Sequence, residues 1–173
     1  MSTPTQAARA EDPSRFGPNA DDDLLLERQL CFALSVASRS VVSSYRPVLQ
    51  ELNLTHPQYL VMLALWERHP RTVKSLSDDL LIESATLSPM LKRLEALEYI
   101  TRQRVEGNER ALAVDLTTAG TDLRERALSV PGIMMRRLNL TRENVDDLNR
   151  AMRALIVATT GTEAPIEDRH TTQ

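Results

Sequence analysis

The fold is decided by residues 73–117, which read VKSLSDDLLIESATLSPMLKRLEALEYITRQRVEGNERALAVDLT. Apolar residues recur at helical spacing on both sides of the break at residues 81–84, which predicts two short helices. Residues 100–105 and 111–116 then alternate apolar and polar side chains around the polar stretch 106–109, which predicts a β-hairpin. Helix, turn, helix and hairpin in this order are the layout of a winged helix-turn-helix, which places one helix in DNA.

Helical patterns also precede this module. Residues 22–52 carry apolar residues at steps of three and four and predict one long helix, in which Pro47 marks the position of a kink. Thr55 and Gln58 form a capping box, from which a second helix is predicted to run to about residue 67. The first helix of the helix-turn-helix is predicted to begin near Thr72.

Two further helices are predicted after the hairpin. The first begins near Thr118 and is disturbed by the Pro-Gly pair at residues 131–132, and the second has Thr141 as its N-cap. The inner stripe of the second helix consists of Val145, Leu148, Met152 and Leu155. Because a single chain offers little surface against which all these stripes can pack, we expect the terminal helices to form a homodimer.

The predicted architecture is therefore mainly α, a winged helix-turn-helix with long N-terminal and C-terminal helices that form a dimerisation region. We expect a single domain at residues 21–160, with the winged helix-turn-helix at about 55–117 and dimerisation helices at about 22–52 and 118–160. Residues 1–20 and 161–173 are polar and poor in large apolar groups, so they are predicted to be disordered tails.

Composition supports this class and limits the chemistry. The 173 residues are 42% hydrophobic and only 3% aromatic, which favours helices packed on helices over an all-β sandwich. One cysteine excludes an internal disulfide, and no apolar run approaches the ~18 residues that span a bilayer. Neither a signal peptide nor a metal-ligand or phosphate-loop motif is found, so we expect a cytoplasmic protein without a cofactor or metal.

Net charge argues against nucleic-acid binding. The chain carries a formal charge of −3, and residues 73–117 contain six Lys or Arg against eight Asp or Glu. Because phosphate contacts usually leave a basic footprint, any affinity for DNA must come from where the basic groups lie. A helical interaction protein that does not bind DNA is the alternative that this acidic balance supports.

The second helix of the module is the candidate recognition helix. Residues near its N-terminus reach base edges in the major groove, which assigns this role to Ser84, Thr86 and Ser88. Lys92 and Arg93 are assigned to the DNA backbone, and Arg110 of the hairpin to the minor groove or its edge. The alternative is that these three cations are ordinary solvated charges. Pro89 leaves the start of the helix open between Ser84 and Ser88.

Cys31 is the one thiol and lies on the long first helix. Alone on a helix, a cysteine is more often a small buried apolar residue than a reactive group, and reactivity requires a lowered pKa. Tyr45 lies fourteen residues further along, some 21 Å of straight helix at ~1.5 Å per residue, so it cannot contact Cys31 of its own chain without a sharp bend. In a dimer with antiparallel first helices, Tyr45 and His56 of one subunit can meet Cys31 of the other.

Three segments carry a family resemblance, LLERQLCFAL at residues 25–34, LTHPQYLVM at 54–62 and SATLSPMLKRL at 84–94. Across roughly residues 24–156 the chain resembles the organic hydroperoxide resistance regulators, a peroxide-sensing branch of the MarR family. The resemblance implies a homodimeric repressor, not an enzyme, that binds a near-palindromic DNA operator when reduced. It also implies that an organic hydroperoxide oxidises Cys31 to a sulfenic acid, which proceeds to a mixed disulfide with a low-molecular-weight thiol or to further oxidation and releases the DNA.

The chain departs from the family pattern at two positions. In that family two tyrosines of the partner subunit donate hydrogen bonds to the cysteine; Tyr45 matches the first, whereas the second position is His56. An imidazole can donate the same hydrogen bond, so we expect sensing with an altered pH dependence. In the hairpin, Asn108 replaces the usual Asp two residues before Arg110, which loosens the orientation of that arginine.

Two other functions fit the same sequence. One is a MarR-type repressor relieved by a small aromatic ligand, with Cys31 merely buried. The other belongs to a different class, a thiol peroxidase that uses Cys31 as its nucleophile. The peroxidase lacks a resolving cysteine and an evident arginine beside the thiol.

Overall fold

The computed structural model describes residues 24–105 and 108–161, except for the side chains of residues 105 and 108–111. After a 3₁₀ turn at Leu26–Arg28, the elements are α1 (Leu30–Gln50), α2 (His56–Glu67), β1 (Arg71–Thr72), α3 (Val73–Leu80), α4 (Ser84–Ala96), β2 (Ile100–Val105), β3 (Asn108–Leu116), α5 (Thr118–Ala127), α6 (Val130–Arg137) and α7 (Arg142–Thr160). The chain divides into two compact units, residues 1–41 and 42–173, and α1 runs through the boundary. The predicted tails, residues 1–20 and 161–173, lie outside the described residues except for Gly161.

The first helix is shorter than the sequence pattern predicts. Gln29 has extended backbone angles, φ −78° and ψ 116°, so the helical hydrogen-bond ladder starts only at Leu30. The Gln29 carbonyl accepts from the Ala33 amide at 3.1 Å, which makes Gln29 the first capping residue of α1. Pro47 lies inside the helix, which ends at Gln50 rather than at residue 52.

Local capping signals are confirmed at the starts of three helices. Thr55 precedes α2, and its backbone amide donates to Gln58 Oε1 at 2.8 Å. The Thr72 hydroxyl accepts from the Ser75 amide at the start of α3, and the Thr141 hydroxyl accepts from the amide of residue 144 at the start of α7. These bonds satisfy amides that a helix leaves unpaired at its N-terminus, which is why short sequence signals located these starts correctly.

A three-stranded antiparallel sheet forms the wing, in the order β1-β3-β2. β2 and β3 pair from Ile100↔Leu116 outward, with an irregularity between Arg104 and Val105. β3 begins at Asn108, three residues earlier than predicted, because Asn108 still pairs with Val105. The short β1 pairs with the far side of β3 and was not predicted, since its partner is some forty residues away in sequence.

The helix after the wing is interrupted, as predicted, but at a different point. α5 ends at Ala127, residues 128–129 form the break, and α6 begins at Val130. Pro131 lies in the first turn of α6, where a missing amide hydrogen costs little. The proline therefore starts a helix rather than interrupting one.

The winged helix closes around one apolar core within residues 42–173. The recognition helix contributes Leu87, Leu91 and Leu94, each at most 1% exposed. Fully buried side chains from the neighbouring elements complete this core, namely Leu49, Val61, Met62, Leu65, Leu76, Ile100, Val114 and Val130. The last helix, α7, contains no buried residue.

Candidate DNA-binding surface and cysteine site

The turn between α3 and α4 fixes the angle of the helix-turn-helix. Leu81 ends α3 with φ 52°, a left-handed conformation that is unusual for a leucine. The Ile82 amide donates to the Ser77 carbonyl at 3.1 Å, and the Ser77 hydroxyl donates to the Ile82 carbonyl. Two reciprocal hydrogen bonds across five residues hold the turn in this shape and set the direction of α4.

The recognition helix begins at Ser84, which settles the question that Pro89 left open. Pro89 lies inside α4, and the Ser88 hydroxyl donates to the Ser84 carbonyl at 2.8 Å. Pro89 has no amide hydrogen to donate to residue 85, four positions back. The burial of Leu87 and Leu91 holds the helix continuous through this point, because one missing backbone bond is outweighed by two buried leucines.

The predicted DNA-contacting side chains on α4 divide into two groups. Thr86, Lys92 and Arg93 are exposed, and within the described part of the chain none of their side chains has a hydrogen bond or ion pair. The Ser84 hydroxyl donates to Ser77 Oγ at 3.3 Å, and Ser88 is occupied by the bond to Ser84 described above. Ser84 and Ser88 therefore stabilise the helix start, while the other three are open to a partner.

Several acidic residues of the winged helix-turn-helix form ion pairs within the fold. Arg71, 5% exposed, pairs with Asp79, and Lys74 pairs with Asp78 at 2.9 Å. The remaining pairs in this part of the described chain are Arg102 with Glu95 and His69 with Asp115. Three of the eight acidic groups of residues 73–117, Asp78, Asp79 and Glu95, thus have a cationic partner within the fold, while Lys92 and Arg93 are cations on α4 without an ion pair among the described residues.

The Glu95–Arg102 pair joins the recognition helix to the wing. Arg102 Nε donates to Glu95 Oε2 at 3.0 Å. The hydrogen bond from Arg102 lowers the pKa of Glu95, so this carboxylate remains ionised at neutral pH. The side chains of Asn108 and Arg110 lie outside the described residues, and their predicted role in the minor groove stays a prediction.

Cys31 lies in the first turn of α1 and is exposed in the single chain. The alternative that Cys31 is a buried apolar residue therefore does not hold for the single chain. Leu30 and Phe32 beside it are 58% and 39% exposed, so the thiol lies in an open apolar surface.

The two residues predicted to contact the thiol, Tyr45 and His56, lie together in residues 42–173. Their ring centroids are 5.3 Å apart in an edge-on arrangement. Tyr59 of α2 packs against Tyr45 at 6.2 Å and against Trp66 at 6.3 Å. Trp66 Nε1 in turn donates to the Gly120 carbonyl at 2.8 Å. The structure thus places an aromatic row between α1 and the start of α5.

Burial sets the protonation of this aromatic row. Desolvation raises the pKa of Tyr45, and desolvation together with the nearby Tyr45 raises the pKa of Tyr59 to about 12. Desolvation lowers the pKa of His56, so its imidazole is neutral at pH 7. Both phenols and the neutral imidazole keep a proton that each can donate in a hydrogen bond.

The sequence is similar to those of proteins of known function. The family described as Transcriptional regulator SarA/Rot matches residues 43–126. The organic hydroperoxide resistance transcriptional regulator of Bacillus subtilis (strain 168) is 43% identical over 137 residues, covering 79% of this chain and 91% of the relative. The chain belongs to the MarR superfamily of winged-helix transcriptional regulators.

Solved structures of a MarR-superfamily relative agree with this assignment. Reduced AbfR bound to DNA, a Staphylococcus epidermidis protein, has a TM-score of 0.69 and 32% identity and covers 79% of this chain and 93% of AbfR. Disulfide-formed AbfR has a TM-score of 0.57 and 32% identity, over 79% of this chain and 95% of AbfR.

Within residues 24–105 and 108–161, no three His, Cys, Asp or Glu side chains are grouped so that they could hold a metal ion. In the same residues, no helix has the length and apolar composition needed to cross a membrane.

Proposed function

We propose that this regulator is a homodimeric repressor that binds its operator while Cys31 is reduced and releases it after an organic hydroperoxide has oxidised Cys31. The observation that carries the proposal is an exposed cysteine at the start of α1, in a chain 43% identical to an organic hydroperoxide resistance regulator. AbfR, which has been solved in reduced, disulfide and overoxidised forms, supports redox control in this part of the superfamily.

The DNA-binding half of the proposal rests on α4. Thr86 contacts base edges, while Lys92 and Arg93 contact the backbone, with Ser84 and Ser88 at the helix N-terminus. Arg110 of the wing contacts the minor groove or its edge. In a symmetric dimer two such helices lie about one DNA turn, ~34 Å, apart, which favours a near-palindromic operator.

The chemical step consumes one peroxide and one thiolate. The Cys31 sulfur attacks the terminal peroxide oxygen, an S–O bond forms, and the O–O bond breaks. The alkoxide leaves and takes up a proton to give the alcohol, so sulfur loses the two electrons that the peroxide gains. A low-molecular-weight thiol then condenses with the sulfenic acid, and water leaves as the mixed disulfide forms.

Tyr45 and His56 of the partner subunit stabilise the Cys31 thiolate. Both can donate at neutral pH: burial raises the pKa of Tyr45, so its phenol keeps its proton, and burial lowers the pKa of His56, whose neutral imidazole retains one N–H. A hydrogen bond to the thiolate favours the charged form and thus lowers the pKa of the thiol. Oxidation replaces the anionic sulfur with a bulkier group, removes these hydrogen bonds and shifts the dimer interface that orients the two recognition helices.

Relief by a small aromatic ligand has less support. The described cavity with an aromatic wall, formed by Tyr59 and Trp66 with Arg124 and Pro131, has a volume of about 260 Å³. This volume falls below the roughly 300–1,000 Å³ typical of ligand pockets.

The deciding experiment measures binding to the DNA upstream of the protein's own gene, for wild type and Cys31→Ser. Wild type should bind the DNA when reduced and release it after treatment with an organic hydroperoxide followed by a thiol. Cys31→Ser should bind the DNA and stay bound after the same treatment. Mass spectrometry should show the adduct at Cys31. Release of Cys31→Ser by the same treatment would rule out the redox mechanism, and sustained peroxide turnover would indicate a peroxidase.

A second experiment isolates His56. Alkylation rates of Cys31 across pH should differ between wild type and His56→Phe, because the phenyl ring keeps the packing against Tyr45 but donates no hydrogen bond. Identical curves would remove His56 from the mechanism. Tyr45→Phe gives the matched comparison for the phenol.

A further inference from the structure

A groove of about 460 Å³ lies beside the recognition helix, between α4 and the connection from α1 to α2. Apolar side chains form its back wall, and its polar lining consists of Gln50, Asn53, Thr55, Gln58 and Arg93. We call these five residues the donor groove. They comprise three carboxamides, one hydroxyl and one guanidinium, and no carboxylate is among the described residues that line the cavity.

Gln58 is the buried polar residue of the donor groove, at 4% exposure. Its Oε1 is turned back to the helix start, where it accepts from the Thr55 amide at 2.8 Å and from the Thr55 hydroxyl at 2.9 Å. Among the hydrogen bonds of the described residues, Nε2 of Gln58 has no partner. Nε2 of Gln58 is not among the buried atoms that lack a partner, so it is accessible where Gln58 lines the groove and can donate to a ligand that brings an oxygen.

Asn53 and Arg93 contribute further donors. Asn53 is exposed with φ 56°, a left-handed conformation that asparagine tolerates well. Arg93 is exposed on α4. It lies three residues after Met90 and four before Leu97, so the three side chains share one face of the helix. Several neutral donors around one guanidinium, beside the first turn of α2, suit a singly charged oxyanion better than a metal or an apolar ligand.

We propose that the donor groove binds a phosphate of the DNA backbone that flanks the base pairs read by α4. The proposal rests on the proposed DNA-binding function and extends it to residues outside the helix-turn-helix. Arg93 lines the groove and lies seven residues, about two helical turns, from Thr86 on the same face of α4, which is the feature that links the groove to the proposed DNA-binding face. Nε2 of Gln58 donates to one phosphate oxygen, and Arg93 and Asn53 bind its neighbours.

The cleanest test replaces one donor without changing the backbone. Asn53→Gly removes the carboxamide at a left-handed position that glycine also adopts, and Asn139→Gly makes the same change at φ 53° outside the groove. Affinity is measured by fluorescence anisotropy on an operator duplex and on a random duplex at one salt concentration. Asn53→Gly should weaken binding to both duplexes by about tenfold, the cost of one hydrogen bond to a charged group. Asn139→Gly should bind like wild type.

Two more variants test the buried donor and the charge. Gln58→Glu keeps the acceptor for the Thr55 amide but replaces the free NH₂ with a charged oxygen, and Arg93→Gln removes the cation. Both should lower affinity on both duplexes, and the slope of log K against log salt should fall by about one for each phosphate that the protein no longer binds. Thermal unfolding of each variant shows whether the fold is intact, and Arg93→Gln, at an exposed site, keeps the test valid if Gln58→Glu unfolds.

The outcomes separate this proposal from the one on which it rests. If the wild type fails to bind DNA, both proposals fall. If wild type binds and the folded variants at residues 53, 58 and 93 match it, the groove proposal alone is overturned. A thermal shift with inorganic phosphate that Gln58→Glu abolishes, together with unchanged DNA affinity, would also overturn it and indicate a site for a small free anion.

Discussion

The apolar stripes of the recognition helix and of the last helix both recur at steps of three and four residues, but only the stripe of the recognition helix is buried. Leu91 in α4 is 1% exposed, whereas Leu148 in α7 is 50% exposed and Met152 is 37% exposed. The N-terminal half of α1 resembles α7, since Leu30, Phe32 and Val36 are also exposed. The winged helix therefore completes its core within one chain, whereas no described residue covers the apolar stripes of the terminal helices.

This difference separates two kinds of stability. A side chain buried within the chain contributes to folding at any protein concentration, while an exposed stripe contributes only once a second surface covers it. Apolar residues on α1 and α7 are too numerous for solvated helix faces, which is the physical basis of our proposal that the protein forms a homodimer through these helices. Four sets of substitutions sharpen or break this comparison.

The largest effect is expected at Gly120, in the first turn of α5. A Cβ added there would lie 2.0 Å from the Tyr99 carbonyl oxygen, which is backbone and cannot move aside. Gly120→Ala should therefore destabilise the winged helix by roughly 3 kcal/mol or more, measured by urea unfolding. Gly132→Ala is the control, since its added Cβ would meet only a flexible arginine side chain at 3.6 Å. Equal stability of the two variants would contradict the close approach.

A matched pair of leucines gives the next effect. Leu91→Ala should lower the free energy of unfolding by about 2–5 kcal/mol at every protein concentration, because it leaves a cavity in the core. Leu148→Ala should leave the unfolding of the separated subunits nearly unchanged and weaken only their association. Chemical unfolding at several protein concentrations distinguishes these results, and similar losses at low concentration would mean that α7 already packs within its own chain.

A charge in the stripe of α7 should affect assembly alone. Leu148→Glu places a carboxylate where two apolar stripes meet, so sedimentation velocity should show single subunits at concentrations where wild type is dimeric. Ala154→Glu, which lies on the opposite side of α7 by helical spacing, adds the same charge and should leave the dimer intact. Dissociation by both variants would indicate a general charge effect rather than an interface at the stripe.

The smallest effect concerns pH. Burial lowers the pKa of His56, so the folded chain binds a proton there less readily than the unfolded chain, whose histidine titrates near 6.5. Stability is therefore unaffected by His56 above pH 6.5 and falls as the pH drops below it. His56→Phe should flatten this part of the stability profile, measured by thermal unfolding between pH 5 and 8. An unchanged slope would show that His56 is as solvated in the folded state as in the unfolded state.

Helix starts and helix faces could be predicted because they depend on residues three or four apart. Thr55 and Thr141 were identified as caps and a helix start was predicted near Thr72, and the spacing of Leu87, Leu91 and Leu94 gave the buried face of α4. The same local reasoning placed the start of α1 too early, because nothing in the spacing of apolar residues predicts the extended conformation of Gln29.

Candidate site residues could be chosen from the sequence by residue type, but the residues that they contact could not be predicted. Residue type and the family resemblance gave Cys31, Tyr45 and His56, while the packing of Tyr59 against Tyr45 required the path of the chain from α1 to α2. The excess of acidic over basic residues in the winged helix-turn-helix was a misleading argument against DNA binding for the same reason. The pairs Arg71–Asp79 and Arg102–Glu95 join different elements, and only their geometry shows which cations remain open.

By itself, the sequence determined the winged helix-turn-helix, its family and the face of each helix, since periodicity and capping act over a single turn of helix. Only the tertiary structure decided the pairing of β1 with β3, the meeting of Tyr45, His56 and Tyr59, and the donors that line the groove beside Arg93. These features join residues distant in sequence, and which of them meet is set by the packing of the whole core rather than by any local pattern.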